Sequence, residues 1–284
     1  MIGTPKQYLR SLLLAFVAVI AIGTPTLMSH AASAQIPTSD SPDATAFTMY
    51  NGTTYPNASI LTGYGLVRAT LLYDEWGLSC STTGCSNVPS ETTFKDYVQN
   101  RIQFYGASTL ISMDFENVVP VRASSDDQAR QEVAMFKQFI SWTRAVAPEA
   151  KVGEYDYDYN YNNSASNSRN VIRAELYQSG GFDFFAPTLY QRWATHADWQ
   201  GYLNASIEHD RAISNTIPIY PFISPNPNGA PSSTDFLSDA EWKSELSDLK
   251  SNVIGGIVWV GSAGGTLNTS WDWVEELKEF MSTI

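Results

Sequence analysis

Two carboxylates, Asp114 and Glu116, end the run Leu110-Ile111-Ser112-Met113-Asp114-Phe115-Glu116-Asn117. Side chains alternate across a strand, so Ile111, Met113 and Phe115 share one face and Ser112, Asp114 and Glu116 the other. Residues i and i+2 of a strand lie about 6.5–7 Å apart at their bases, close enough for the carboxyl tips to meet. Two like charges at that distance resist joint ionisation, so the pair holds one proton and one pKa rises. The expected product is a carboxylic acid still protonated near neutral pH, read here onto Glu116, with Asp114 as its partner. Such an acid can protonate the leaving oxygen of a glycosidic bond. Both carboxylates lie on one side of a substrate, so they cannot supply an acid and a nucleophile across the scissile bond as the two-carboxylate scheme requires. Either a third carboxylate faces them, or the substrate brings its own nucleophile, as the carbonyl oxygen of a 2-acetamido sugar can. A bare D-x-E is common, and a hydrogen-bonded pair at a strand end needs no function.

The elements that position the pair are legible from periodicity. Short apolar runs at 46–50, 69–76, 109–116, 151–158, 182–190, 218–223 and 254–261 alternate with helical patterns, at spacings of roughly 25 to 40 residues. That is the pattern of an α/β protein with a parallel sheet, and alternation alone leaves open whether seven βα units form an open sheet or a closed, distorted TIM-like β/α barrel; the strand-end acids and aromatics favour the barrel. Residues 46–284 are read as one barrel domain. Ser125-Asp126-Asp127-Gln128 and Ser238-Asp239-Ala240-Glu241 read as capping boxes. Barrel active sites form at the C-terminal ends of strands, where the acids and aromatics of this chain gather.

Lys6 and Arg10, the apolar run 12–22 and Ala32-Ser33-Ala34 read as a secretory signal peptide over 1–34, followed by a loose arm over 35–45. No membrane span is expected, because about 20 apolar residues are needed for one. Losing residues 1–34 removes two basic residues and no acid, so the net charge of −12 becomes −14. That field disfavours nucleic acid and polyanions as partners. A glycan is the expected partner, a monomer the expected state, and an extracellular location follows from the signal. Cys80 and Cys85 are read as a small disulfide loop, suited to an oxidising compartment. With only His196 and His209 left after processing, no metal site and no cofactor are expected. Five N-x-S/T sequons, at Asn51, Asn57, Asn162, Asn204 and Asn268, suggest surface loops in a eukaryote and carry no meaning in a bacterium.

The motifs in this order resemble the hyaluronidases of glycoside hydrolase family 56, weakly but along most of the mature length. Leu71-Leu72-Tyr73-Asp74-Glu75-Trp76-Gly77-Leu78 is similar to that family's second strand. Ile111 to Glu116 resembles its I-D-W-E strand, Val152-Gly153-Glu154-Tyr155 its G-Y-Y strand, and Pro187-Thr188-Leu189-Tyr190 its P-S-x-Y strand end. Gly256 to Ser262 resembles its last strand, with Trp259 one place early. The resemblance implies a seven-stranded barrel, Glu116 as acid/base and Asp114 as positioner of an acetamido group. It also implies Tyr190 as an acetamido contact and Trp259 as a wall of the sugar subsite. Three departures stand out. Phe222 occupies a position where tyrosine is expected, the family's cysteine framework is absent, and a charge of −14 suits a polyanion poorly. Together they point to a distant relative acting on a different, neutral glycan that contains N-acetylhexosamine.

Further candidates for substrate contact are Asp74 and Trp76 at the end of the second strand, and Asp156. The last depends on whether the face carrying Glu154, Asp156 and Asp158 points inward. Arg192 and Trp193 are candidates for the cleft rim. Rival readings are another D-x-E barrel glycosidase, chitinase- or muramidase-like, and a carbohydrate-binding barrel without turnover. Thr109 and Ser112 stand where a chitinase motif carries acids, which counts against the first of these.

Overall fold

The structure, a computed structural model, describes residues 46–106, 108–156, 167–191, 195–227, 235–262 and 265–284. The segments read as signal peptide and arm lie outside those residues, as do Asp158, Asn162, Arg192 and Trp193.

Each expected apolar run contributes a strand. In chain order these are β1 (Thr48–Asn51), β2 (Val67–Tyr73), the hairpin strands β3 (Ser79–Ser81) and β4 (Gly84–Ser86), β5 (Leu110–Asp114), β6 (Lys151–Asp156), β7 (Phe184–Pro187), β8 (Phe222–Ile223) and β9 (Gly255–Val258). Seven of them pair in parallel in the order β7-β6-β5-β2-β1-β9-β8. Parallel bridges Phe185–Ile219 and Thr188–Phe222 then join β7 to the β8 segment and bring the sheet round on itself. The result is the expected seven-stranded β/α barrel.

Among the described residues seven helices surround it: α1 (Ser59–Gly63), α2 (Glu91–Tyr105), α3 (Asp126–Val146), α4 (Asn167–Ala174), α5 (His196–Ile213), α6 (Asp239–Asn252) and α7 (Asp272–Met281). Their starts are set by side chains that accept from the first turn: Ser90, Ser125, Thr195 and Ser238. The capping box at Ser238 is complete. At Ser125 the return arm differs from expectation, because the Gln128 carboxamide accepts from Ser124 rather than from the cap.

Strand parity divides the core in two. Ile111, Met113, Phe115, Val152, Phe185, Leu189 and Val258 face the helices. Leu71, Leu110, Tyr155, Phe184, Tyr190, Phe222 and Ile257 fill the barrel. Gly153 faces inward with the Phe184 ring standing where its Cβ would be, so no larger residue fits without moving that ring.

One seam of the barrel is split. Beyond Asn51 and Arg68, strands β1 and β2 no longer pair. The groups β2 would have shared with β1 are taken by α2 side chains. Tyr97 Oη accepts from Tyr73 N (2.7 Å) and donates to Tyr73 O (3.0 Å), and Arg101 Nε donates to Leu71 O (3.0 Å). The backbone polarity of an opened strand edge is thus satisfied from the helix layer.

Cys80 and Cys85 form the expected disulfide across β3 and β4. Two sequons are not loops open to modification. Asn51 is fully buried, donating to Ala58 O, and both amide atoms of Asn57 bond the backbone of Leu267. Among the described residues no helix is long and apolar enough to cross a membrane.

Candidate active site

The inward face of β5 carries Ser112 and Asp114, as parity requires, and the strand ends there. Glu116 lies in the following turn. It still reaches the same cavity of about 400 Å³, lined by Tyr73, Asp74, Asp114, Glu116, Asn117, Tyr155, Tyr190, Phe222 and Trp259. Asp114 is half-buried at the back, and Glu116 is exposed at the mouth. Burial, then the charge of neighbouring Glu116, pushes the Asp114 carboxyl well above the usual carboxylate range. The sequence reading gave the retained proton to Glu116; burial favours it on Asp114, the deeper group.

The walls are aromatic. Tyr190 and Trp259 stack, with centroids 5.7 Å apart and ring planes 24° from parallel. Tyr155 meets Phe222 edge-on at 4.9 Å, and its hydroxyl bonds Thr188 and Tyr190. Trp259 Nε1 donates to Tyr73 Oη at 3.2 Å. Desolvation raises the pKa of the Tyr73, Tyr155 and Tyr190 phenols, and the Asp114 carboxylate adds to each shift. All three therefore stay protonated at neutral pH. Among the described lining residues none is basic.

Asp74 lines the cavity, but its carboxylate is largely committed to its own loop. Oδ1 accepts from the backbone of Trp76 (3.1 Å) and Gly77 (2.9 Å). Oδ2 accepts from Leu78 (2.8 Å) and from Asn117 Nδ2 (3.2 Å). The bond to Asn117 ties the turn that carries Glu116 to the end of β2. Asp74→Ala is expected to lower turnover by about tenfold or more through loosening of that turn, with a stability loss of about 1–3 kcal/mol for the stranded donors. Kinetics and a urea melt of the variant check this; unaltered turnover would show that the tie does not hold Glu116.

Trp76 is not in the cavity. Its ring packs on Tyr97 (5.0 Å) and Phe94 (5.8 Å) of α2, because residue 76 has left the strand and follows the turn held by Asp74. The face of β6 that carries Glu154 is the outer one: Glu154 is buried against Arg173 and Tyr177 behind the barrel. Of Asp156 only the backbone, paired with Pro187, is described. Sequence reading missed Tyr73, Tyr155 and Asn117. The first two carried a usable signal: Tyr73 is the cross-strand partner of Asp114, and Tyr155 lies on the alternate face of a strand read for its acids.

Among the described residues no group of three or more His, Cys, Asp or Glu could hold a metal. His196 pairs with Asp248 in the helix layer, and His209 lies beside Arg173.

No protein-family model matches the sequence, and no curated protein does. Solved structures match by shape. The chain is similar in fold to bee venom hyaluronidase. Against that enzyme in complex with a hyaluronic acid tetramer the TM-score is 0.55 at 14% identity, over 76% of this chain and 91% of the other. Against its monoclinic crystal structure the TM-score is 0.56 at 13% identity, over 83% and 96%. A glucosidase from Croceicoccus marinus gives 0.50 at 13% identity, over 77% of this chain and 50% of that one. At these identities the likeness is one of fold, and the chemistry must be argued from the site.

Proposed function

We propose that the protein is a secreted glycoside hydrolase that cleaves a neutral glycan containing N-acetylhexosamine, with Glu116 as acid/base and the substrate acetamido group as nucleophile. The observation that carries this reading is the placement of Asp114 and Glu116 at the back and mouth of one aromatic-walled cavity. The fold shared with a venom hyaluronidase supports it, and the cleaved disulfide-bearing chain would suit an extracellular setting.

In the free site the shared proton sits on Asp114. An arriving acetamido N–H donates to the Asp114 carboxylate and displaces that proton to Glu116. Glu116 then gives it to the glycosidic oxygen as the acetamido carbonyl oxygen bonds to the anomeric carbon and the leaving group departs. Glu116, now a carboxylate, takes a proton from water as that water opens the cyclic intermediate, and the pair returns to its starting state. Tyr190 and Trp259 offer stacked rings to a sugar face. A lining without a described cation favours an uncharged sugar over a polyanion.

The test is release of reducing ends from chitin, chondroitin, hyaluronan and peptidoglycan, with and without a thiazoline mimic of the cyclic intermediate. Cleavage of an N-acetylhexosamine glycan, blocked by the thiazoline, is the expected result. Binding without release would make the barrel a lectin. Cleavage confined to sugars lacking an acetamido group would remove the substrate-assisted mechanism.

A further inference from the structure

One wall of the cavity is held from outside the barrel. Tyr73 is the last residue of β2, and its backbone N–H and C=O lie on the edge that β1 leaves open. A single hydroxyl from α2 serves both groups. Tyr97 Oη accepts from Tyr73 N at 2.7 Å and donates to Tyr73 O at 3.0 Å. A hydroxyl can accept and donate at once, so one atom here does the work of the missing strand. Burial pushes the Tyr97 phenol up, and it keeps the proton it donates. The Arg101 guanidinium lies 5.1 Å from the centre of the Tyr73 ring, while Arg101 Nε donates to Leu71 O at 3.0 Å. Tyr73 is thus fixed from α2 at both its backbone and its ring.

The hydroxyl of Tyr73 in turn fixes an indole. Trp259 Nε1 can only donate, and it donates to Tyr73 Oη at 3.2 Å, which uses its one N–H. Trp259 directly follows β9, and β2 and β9 flank β1 in the sheet. The bond therefore spans β1, which stops at Asn51. The next residue, Gly52, lets the two sides close over it. A Cβ at that position would meet Ile257 Cγ2 at 3.0 Å and Leu71 Cδ1 at 3.5 Å. By strand parity Leu71 and Ile257 are the inward residues one step below Tyr73 and Trp259. Trp259 is also stacked on Tyr190, at 5.7 Å, so the indole is held by one polar bond and one ring.

We propose that Tyr97 and Tyr73 are positioning residues for the sugar-stacking wall: α2 places Tyr73, and Tyr73 sets the tilt of Trp259 in the cavity. Neither phenol takes part in proton transfer. The role of Trp259 as a wall rests on the glycosidase reading; the coupling from Tyr97 to Trp259 does not. Tyr73 and Trp259 line the cavity and Tyr97 does not, so a change at Tyr97 alters the wall without touching a substrate.

Tyr97→Phe and Tyr73→Phe each remove a hydroxyl and keep the ring. With 4-methylumbelliferyl β-chitotrioside as probe, each is expected to raise KM about fivefold with kcat within about twofold, because stacking on a sugar face is made in the ground state and the transition state alike. In a Tyr73→Phe background, Tyr97→Phe should raise KM no further. The indole ¹H–¹⁵N resonance of Trp259, identified by its loss in Trp259→Phe, reads the coupling without turnover. It should move upfield in ¹H and exchange faster with solvent in Tyr73→Phe. It should also move in Tyr97→Phe, but not when Tyr97→Phe is added to Tyr73→Phe. A Trp259 resonance unmoved by Tyr97→Phe, or moved equally in both backgrounds, overturns the proposal. So does a fall in kcat at constant KM. A wild type inert on every glycan, with the expected shifts present, would sink the glycosidase reading and leave the coupling from Tyr97 to Trp259 standing.

Discussion

Glu116→Gln is expected to lower hydrolysis by about two orders of magnitude or more, the usual scale for loss of a general acid. The substitution is nearly isosteric, but a carboxamide cannot release a proton to a leaving oxygen. Glu116 is exposed in a turn and its backbone is held through Asn117 and Asp74. Removing the Glu116 charge eases the penalty on the Asp114 carboxyl, so the replacement should leave the melting temperature unchanged or slightly raised. Two measurements decide the matter together: reducing-end release from the cleaved glycan, and a thermal melt. Wild-type turnover by the variant would remove Glu116 from the reaction.

Asp114→Asn should separate activity from stability in opposite directions. Activity is expected to fall by about tenfold or more, because an amide cannot take and return the shared proton or accept the acetamido N–H as a carboxylate does. Stability should rise at neutral pH. The sign follows from linkage. The folded-state pKa of Asp114 is raised, by burial first and Glu116 second. Below the unfolded value of about 3.9 the group is protonated in both states, and its contribution to stability is fully present. Above that value the unfolded chain ionises freely while the folded site resists, so wild-type stability is lost as pH climbs toward the raised folded value. The loss is at most about 1.4 kcal/mol per pH unit. Asparagine has no such penalty. Urea melts from pH 3 to pH 8 should show the two proteins converging at the acid end and diverging above pH 4. A constant gap across that range would mean that Asp114 is not the group holding the proton.

The two conclusions differ in how far they could be read from the chain. Glu116 could be singled out as a candidate because its type and its distance from Asp114 limit the chemistry, whatever the surroundings. The assignment of the proton could not be read, because which of two coupled carboxyls is deeper depends on where the strand stops. Sequence put both on one strand; in the fold β5 ends at Asp114, and Glu116 swings out on a turn.

Periodicity by itself determined the architecture: seven apolar runs at βα spacing, helix starts at Ser125 and Ser238, inward parity for Ser112 and Asp114, and the Cys80–Cys85 bridge. These are local properties, set by alternation, capping and short loop closure. Tertiary structure decided what needs a second segment. The buried Glu245, with no hydrogen-bond partner among the described residues for either carboxyl oxygen, sits on the same helix as the expected core face of Trp242, Leu246 and Leu249. Trp76 turns away from the cavity because Asp74 captures three backbone amides. Tyr97 and Arg101 reach the backbone of β2 because β1 and β2 part company after two paired residues. A period of two or of 3.6 records which way a side chain points from its own element. It records nothing of a gap between two strands, since that gap belongs to neither of them alone.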